Sequence, residues 1–170
     1  MASGDVKLVF GTSTDVTVTN LHAIASSATW IAGWESGIVD NTANLYEDYF
    51  LSGVFQVHSS AVTAATEIRV YLFAMTSDTT YPDLMDGTES ADAWSSTGAR
   101  DASAKLIAVC QVPVVTADLY YSFGQVSVAN CFGGVCPPKF GIFVTQNTGQ
   151  VLGAANNVVT IQGVYHNVAP

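Results

Sequence analysis

The sequence predicts an all-β fold, an antiparallel β-sandwich. Apolar residues alternate with polar ones in short runs from Val6 to His166, and no stretch keeps a helical period over three turns. Thr and Val recur together in these runs, a pairing that fits a pleated surface better than a helix. Two half-apolar sheets must cover each other, which makes a sandwich. About eight strands with long, irregular connections favour a jelly roll over an immunoglobulin-like arrangement.

The runs follow in order. Val6, Leu8 and Phe10 alternate with Lys7, and Val16 and Val18 alternate with Asp15, Thr17 and Thr19. Leu51, Gly53, Phe55 and Val57 share one face, with Ser52, Val54, Gln56 and His58 on the other. Ile68, Val70, Leu72 and Ala74 form the next face. Leu106, Ala108, Cys110, Val112 and Val114 read as a further one, with Pro113 marking an edge or a bulge. Strands are also expected at 119–128, 140–146 and 158–166. The longest connection, 76–103, is acidic. It carries a turn at Tyr81-Pro82-Asp83, and one helical turn or two are expected over Glu89 to Trp94.

The chain of 170 residues is expected to be one domain, with residues 1–10 as an N-terminal arm or edge strand open to strand exchange between subunits. It is 49% hydrophobic and only 11% charged, with a mean hydropathy of +0.32. An ordinary soluble domain carries roughly 25% charged residues. A chain so poor in charge is expected to cover much of its surface with protein, as a subunit of an assembly. Fourteen acidic residues against five basic ones leave a net charge of -9, which argues against nucleic acid and anionic membranes as partners. No run of 18 apolar residues exists to span a bilayer. Residues 1–6 lack the basic and apolar parts of a signal peptide, so classical export is not expected.

Chemistry-bearing motifs are sparse. His22, His58 and His166 have no metal-ligand spacing. Glu47 and Asp48 are adjacent, so in a strand they point to opposite faces and cannot act as a catalytic pair. The loop around Asp83 to Gly87 lacks the ligand spacing of a calcium hand and reads as a solvated acidic loop, with interface calcium as the alternative. There is no nucleophile elbow, phosphate loop or dinucleotide fingerprint. No catalytic residue, metal site or cofactor is expected, and the chain is read as a non-enzyme. Cys110, Cys131 and Cys136 read as three reduced thiols, with a Cys131–Cys136 bridge as the alternative. The restricted turn from Cys131 to Pro138 presents Phe132 and Val135, with Pro137, as a packed connection or a subunit contact. Trp30, Trp34 and Trp94 read as core residues, interface anchors or a carbohydrate platform. The interface candidates are thus Val6, Leu8, Phe10, Trp30, Trp34, Trp94, Phe132, Val135 and Pro137.

The run from Trp34 to Asn41, followed by Asp48-Tyr49 and Ser52-Gly53, resembles a group of small virion proteins of tailed bacteriophages. Val70-Tyr71, Thr80-Tyr81-Pro82-Asp83 and the stretch from Phe123 to Ala129 continue the likeness. So do Phe132 to Val135, Lys139 to Val144 and Asn147-Thr148-Gly149. The likeness spans roughly residues 30–165 and its motifs are structural. It implies a capsid decoration, or cement, protein, made in the host bacterial cytoplasm and placed on the capsid surface of the virion. The implied partners are the major capsid protein and further copies of the chain, as a homotrimer. The cysteine pair is not a feature of that group. A host-glycan-binding module of a head or tail fibre is the alternative.

Overall fold

Strands dominate the computed structural model, which describes residues 5–168. They are β1 (Val6–Phe10), β2 (Thr14–Asp15), β3 (Ala32–Glu35), β4 (Val39–Asp40), β5 (Asp48–Gln56), β6 (Thr66–Ala74) and β7 (Ser90–Ala93). A short helix α1 (Thr97–Ser103) precedes β8 (Ala104–Val112) and β9 (Tyr120–Ser127). One helical turn, α2 (Val128–Cys131), then leads to β10 (Lys139–Gln146) and β11 (Val158–Val168). No helix among the described residues is long and apolar enough to cross a membrane. Residues 1–4 of the expected arm lie outside the described residues, and Val6–Phe10 form the edge strand β1.

The strands build two antiparallel sheets, as the alternation predicts. The first runs β1-β11-β5-β9, with β2 also on β11; the second runs β7-β3-β10-β6-β8, with β4 also on β10. The pairing is nested. The first strand pairs with the last, β3 with β10, β5 with β9 and β6 with β8. The chain thus behaves as one long hairpin wrapped across both sheets. In β5 the burial alternates strictly, so Tyr49, Leu51, Gly53 and Phe55 face inward. They meet Ile68, Val70, Leu72, Phe140, Ile142 and Val144 of the second sheet in one apolar cluster.

A second apolar cluster lies on the outer side of the second sheet. Tyr71, Phe73 and Phe143 project there and meet Met85, Trp94 and Ala104. The long acidic connection therefore forms a third layer over this sheet. Within it, Ser90–Ala93 is extended and pairs with β3, because strand pairing satisfies the backbone of both segments. The helical turn expected over Glu89 to Trp94 is thus incorrect, and the helix lies later, capped by the Ser96 hydroxyl.

The even-numbered face expected from Leu106 to Val114 also needs correction. A bulge at Ile107 lets Val70 pair with Ala108 and Tyr71 with Leu106. Ala108, Cys110 and Val112 keep the inner face, but Leu106 turns outward with Tyr71 and is exposed. Pro113 ends the strand, and Val114 beyond it is exposed.

Gly33 sets the closest approach of β3 to β10. A Cβ at Gly33 would lie 2.3 Å from the Val144 carbonyl oxygen and 2.6 Å from Phe143 Cζ. The obstacle is partly backbone and cannot swing aside. Gly33→Ala is expected to destabilise the fold by about 3 kcal/mol. Gly124→Ala, with nothing within 4 Å of its Cβ, should leave stability unchanged. Urea midpoints of the two variants check the contrast.

Candidate functional site

The two sheets differ in what covers their outer sides. The second sheet lies under the long connection, which brings Met85 and Trp94 onto it; among the described residues no such layer covers the first sheet. Its outward set is read from the register. It comprises Val6, Leu8 and Phe10 on β1, and Val158, Thr160, Gln162, Val164, His166 and Val168 on β11. Phe50, Ser52 and Val54 on β5 and Tyr120 and Ser122 on β9 complete it.

Aromatic contact organises this face. Phe10 and Phe50 stack with centroids 5.9 Å apart, and Val164, paired with Phe10, is buried. Around them Val6 is 64% exposed, Leu8 53% and Phe10 52%. Such side chains standing together on an edge strand form an exposed apolar patch beside unpaired backbone groups. A shallow concavity beside Leu8, Phe50 and Val164 continues to Asp48, Asn130 and Gly134.

The ionisable groups on and beside this face already have partners. Asp48 accepts from the Ser127 hydroxyl at 2.6 Å and the Ala129 amide at 2.7 Å. Asp15 accepts from the Thr160 hydroxyl, Asp118 from the Gln56 amide, and His166 pairs with Glu47. The outward set otherwise offers apolar groups, hydroxyls and amides, with His166 beside Leu8.

Val6, Leu8 and Phe10 thus come together where the sequence placed them, and Val135 is exposed on its turn. Phe132 is half-buried against the core. Three expected contacts are incorrect. Trp34 is 0% exposed in the inter-sheet core and Trp94 is 1% exposed in the second cluster. Pro137 is also buried. Apolar groups enclosed by the chain itself are not available to a partner. Trp30 remains half-exposed, but the Arg69 guanidinium sits 3.9 Å over its ring. Arg100 Nη1 donates to its carbonyl at 2.8 Å. The three tryptophans therefore form no open row for a sugar. Phe50, Val54, Val158 and Tyr120 were missed as face residues, although the parity of Ser52, Val54 and Gln56 already carried the signal.

The other polar clusters have structural roles. The three cysteines are free, and burial pushes the Cys110 thiol up to about 11 and the Cys136 thiol up to about 12. Asp48 adds to the second shift. Neither is a nucleophilic thiolate at neutral pH. Glu35, Asp86 and Asp92 bring carboxylate oxygens within 4.8 Å of one another, close enough to hold one cation. The backbone amides of Asp86 and Gly87 already donate to Glu35. No family model matches the chain, and searches of curated proteins and of solved structures find no match.

Proposed function

We propose that this chain is a non-enzymatic bacteriophage capsid decoration, or cement, protein that binds across neighbouring major capsid subunits and stabilises the head. The observation that carries the reading is the asymmetry of the sandwich. One outer side is largely covered by the chain's own long connection, with Leu106 and Val109 exposed at its β8 edge; the other presents a partly apolar face with β1 as its open edge. Burying such a face in a contact of about 1,000 Å² or more stiffens an assembly without any reaction. The same face, repeated by cyclic symmetry, serves self-association as a homotrimer.

The nested strand order supports reading the sandwich as a jelly roll, an architecture frequent among viral capsid proteins. The phage-like motifs fit the same role. The glycan-binding alternative loses support because two of its three tryptophans are buried.

The test uses heads that lack this chain. Purified protein added to them should cosediment with the heads and raise the temperature at which they release DNA. Light scattering of the free chain should give the mass of a trimer. Heads that neither bind the chain nor gain heat resistance would overturn the cement reading.

A further inference from the structure

We propose that Glu35, Asp86 and Asp92 form a proton-linked clasp that fastens the 75–89 loop over the second sheet, and that the clasp loosens as pH rises from acid to neutral. Glu35 is 0% exposed on β3, beneath the loop. Its carboxylate accepts from the Gly87 amide at 2.7 Å and the Asp86 amide at 3.2 Å, so it ties the loop backbone to the sheet. Asp92 reaches it from β7 and Asp86 from the loop. On β10 its register partner is Phe143, which brings no charge. None of the three carboxylates has a Lys, Arg or His ion-pair partner among the described residues.

Three carboxylates this close, one of them fully buried and with no cation beside them, cannot all be ionised at little cost. The buried member keeps a proton. Burial, with added repulsion from Asp92 and Asp86, pushes Glu35 from 4.5 up to about 7, against the opposing pull of the two amides. Released into water with the loop open, Glu35 would titrate near its ordinary value. The closed loop therefore binds this proton more tightly than the open one. Closure is firmest below pH 4.5, weakens as pH rises to about 7, and is level above that.

The loop's other ties behave differently. Asp83 accepts from the Ser95 amide and hydroxyl, which hold its carboxyl below the usual aspartate range, so that tie fails only in acid. Glu89 holds Asn20 and the Trp34 indole. The clasp thus governs the stretch around Asp86 and Gly87, whose lifting would uncover the cluster of Phe73, Trp94 and Phe143.

Amide hydrogen exchange of the whole chain tests this, with a chelator present to remove divalent cations. After correction for intrinsic exchange, protection at Asp86 and Gly87 should fall about 50- to 100-fold between pH 5 and pH 8. Glu35→Gln should abolish that fall. Equal protection at the two pH values, or the same fall in Glu35→Gln, would overturn the proposal. Should that variant fail to fold, carbon NMR of the Glu35 carboxyl in the unmodified chain decides. A midpoint near 7 supports the clasp, and one near 4.5 refutes it.

Discussion

Trp34→Ala is expected to lower the unfolding free energy by about 4 kcal/mol, in the range for emptying a buried aromatic site. Trp34 is 0% exposed within the inter-sheet core, so its removal leaves a void between layers that are each held by their own ladders. Its indole Nε1 also donates to Glu89 Oε1 at 2.6 Å, and Glu89 in turn accepts from the Asn20 amide at 2.7 Å. One side chain thus fills the core and secures the end of the loop that covers the second sheet. Trp34→Phe retains most of the filling but not the hydrogen bond, and should cost about 1–2 kcal/mol. Trp30→Ala removes a half-exposed ring and the Arg69 cation–π contact, and should cost about 1 kcal/mol or less. Urea unfolding followed by far-ultraviolet circular dichroism ranks the three. A loss below about 1.5 kcal/mol for Trp34→Ala would mean that the core refills the site, which the rigid strand pairing on either side opposes.

Local alternation made much of the fold legible. The period of two from Leu51 to Phe55 identifies the inner face of β5 because burial alternates without a break there, and Leu51 to Val54 pair in unbroken register with β11. The same logic misled at Leu106, where one extra residue in β8 turns the side chains over. A bulge is a property of two strands pairing, and no composition within one strand announces it. Trp34 and Trp94 were ambiguous for a related reason. An indole suits a core and an interface equally well, and what decides between them is supplied by distant residues, the facing sheet for Trp34 and Met85 for Trp94. The carboxylate cluster was hidden in the same way. Glu35 stands in a strand, and Asp86 and Asp92 lie in the connection beyond two further long strands, so only tertiary folding brings them together. Val6, Leu8 and Phe10 were readable because an edge strand keeps its outward parity without help from elsewhere.

On the proposed cement role, the double variant Leu8→Asp with Phe10→Asp is expected to weaken binding to heads by more than about 100-fold, while the isolated chain stays folded. Both side chains are about half exposed in the free molecule, so their loss removes little buried area from the monomer. The principal structural cost is the Phe10–Phe50 stack, about 1 kcal/mol. In an assembled contact the balance reverses. Two carboxylates would be desolvated in that contact, where His166 beside Leu8 is already paired with Glu47, and each such burial costs several kcal/mol. Anchors near the centre of a contact carry most of its free energy, so two positions suffice to test the whole face. Leu106→Asp with Val109→Asp is the informative counterpart. These residues are also exposed, but they stand on β8 at the edge of the other sheet. Cosedimentation with heads should retain that second variant and lose the first. The opposite pattern would move the docking surface to the β8 edge, and the bare face of the first sheet would then need another occupant.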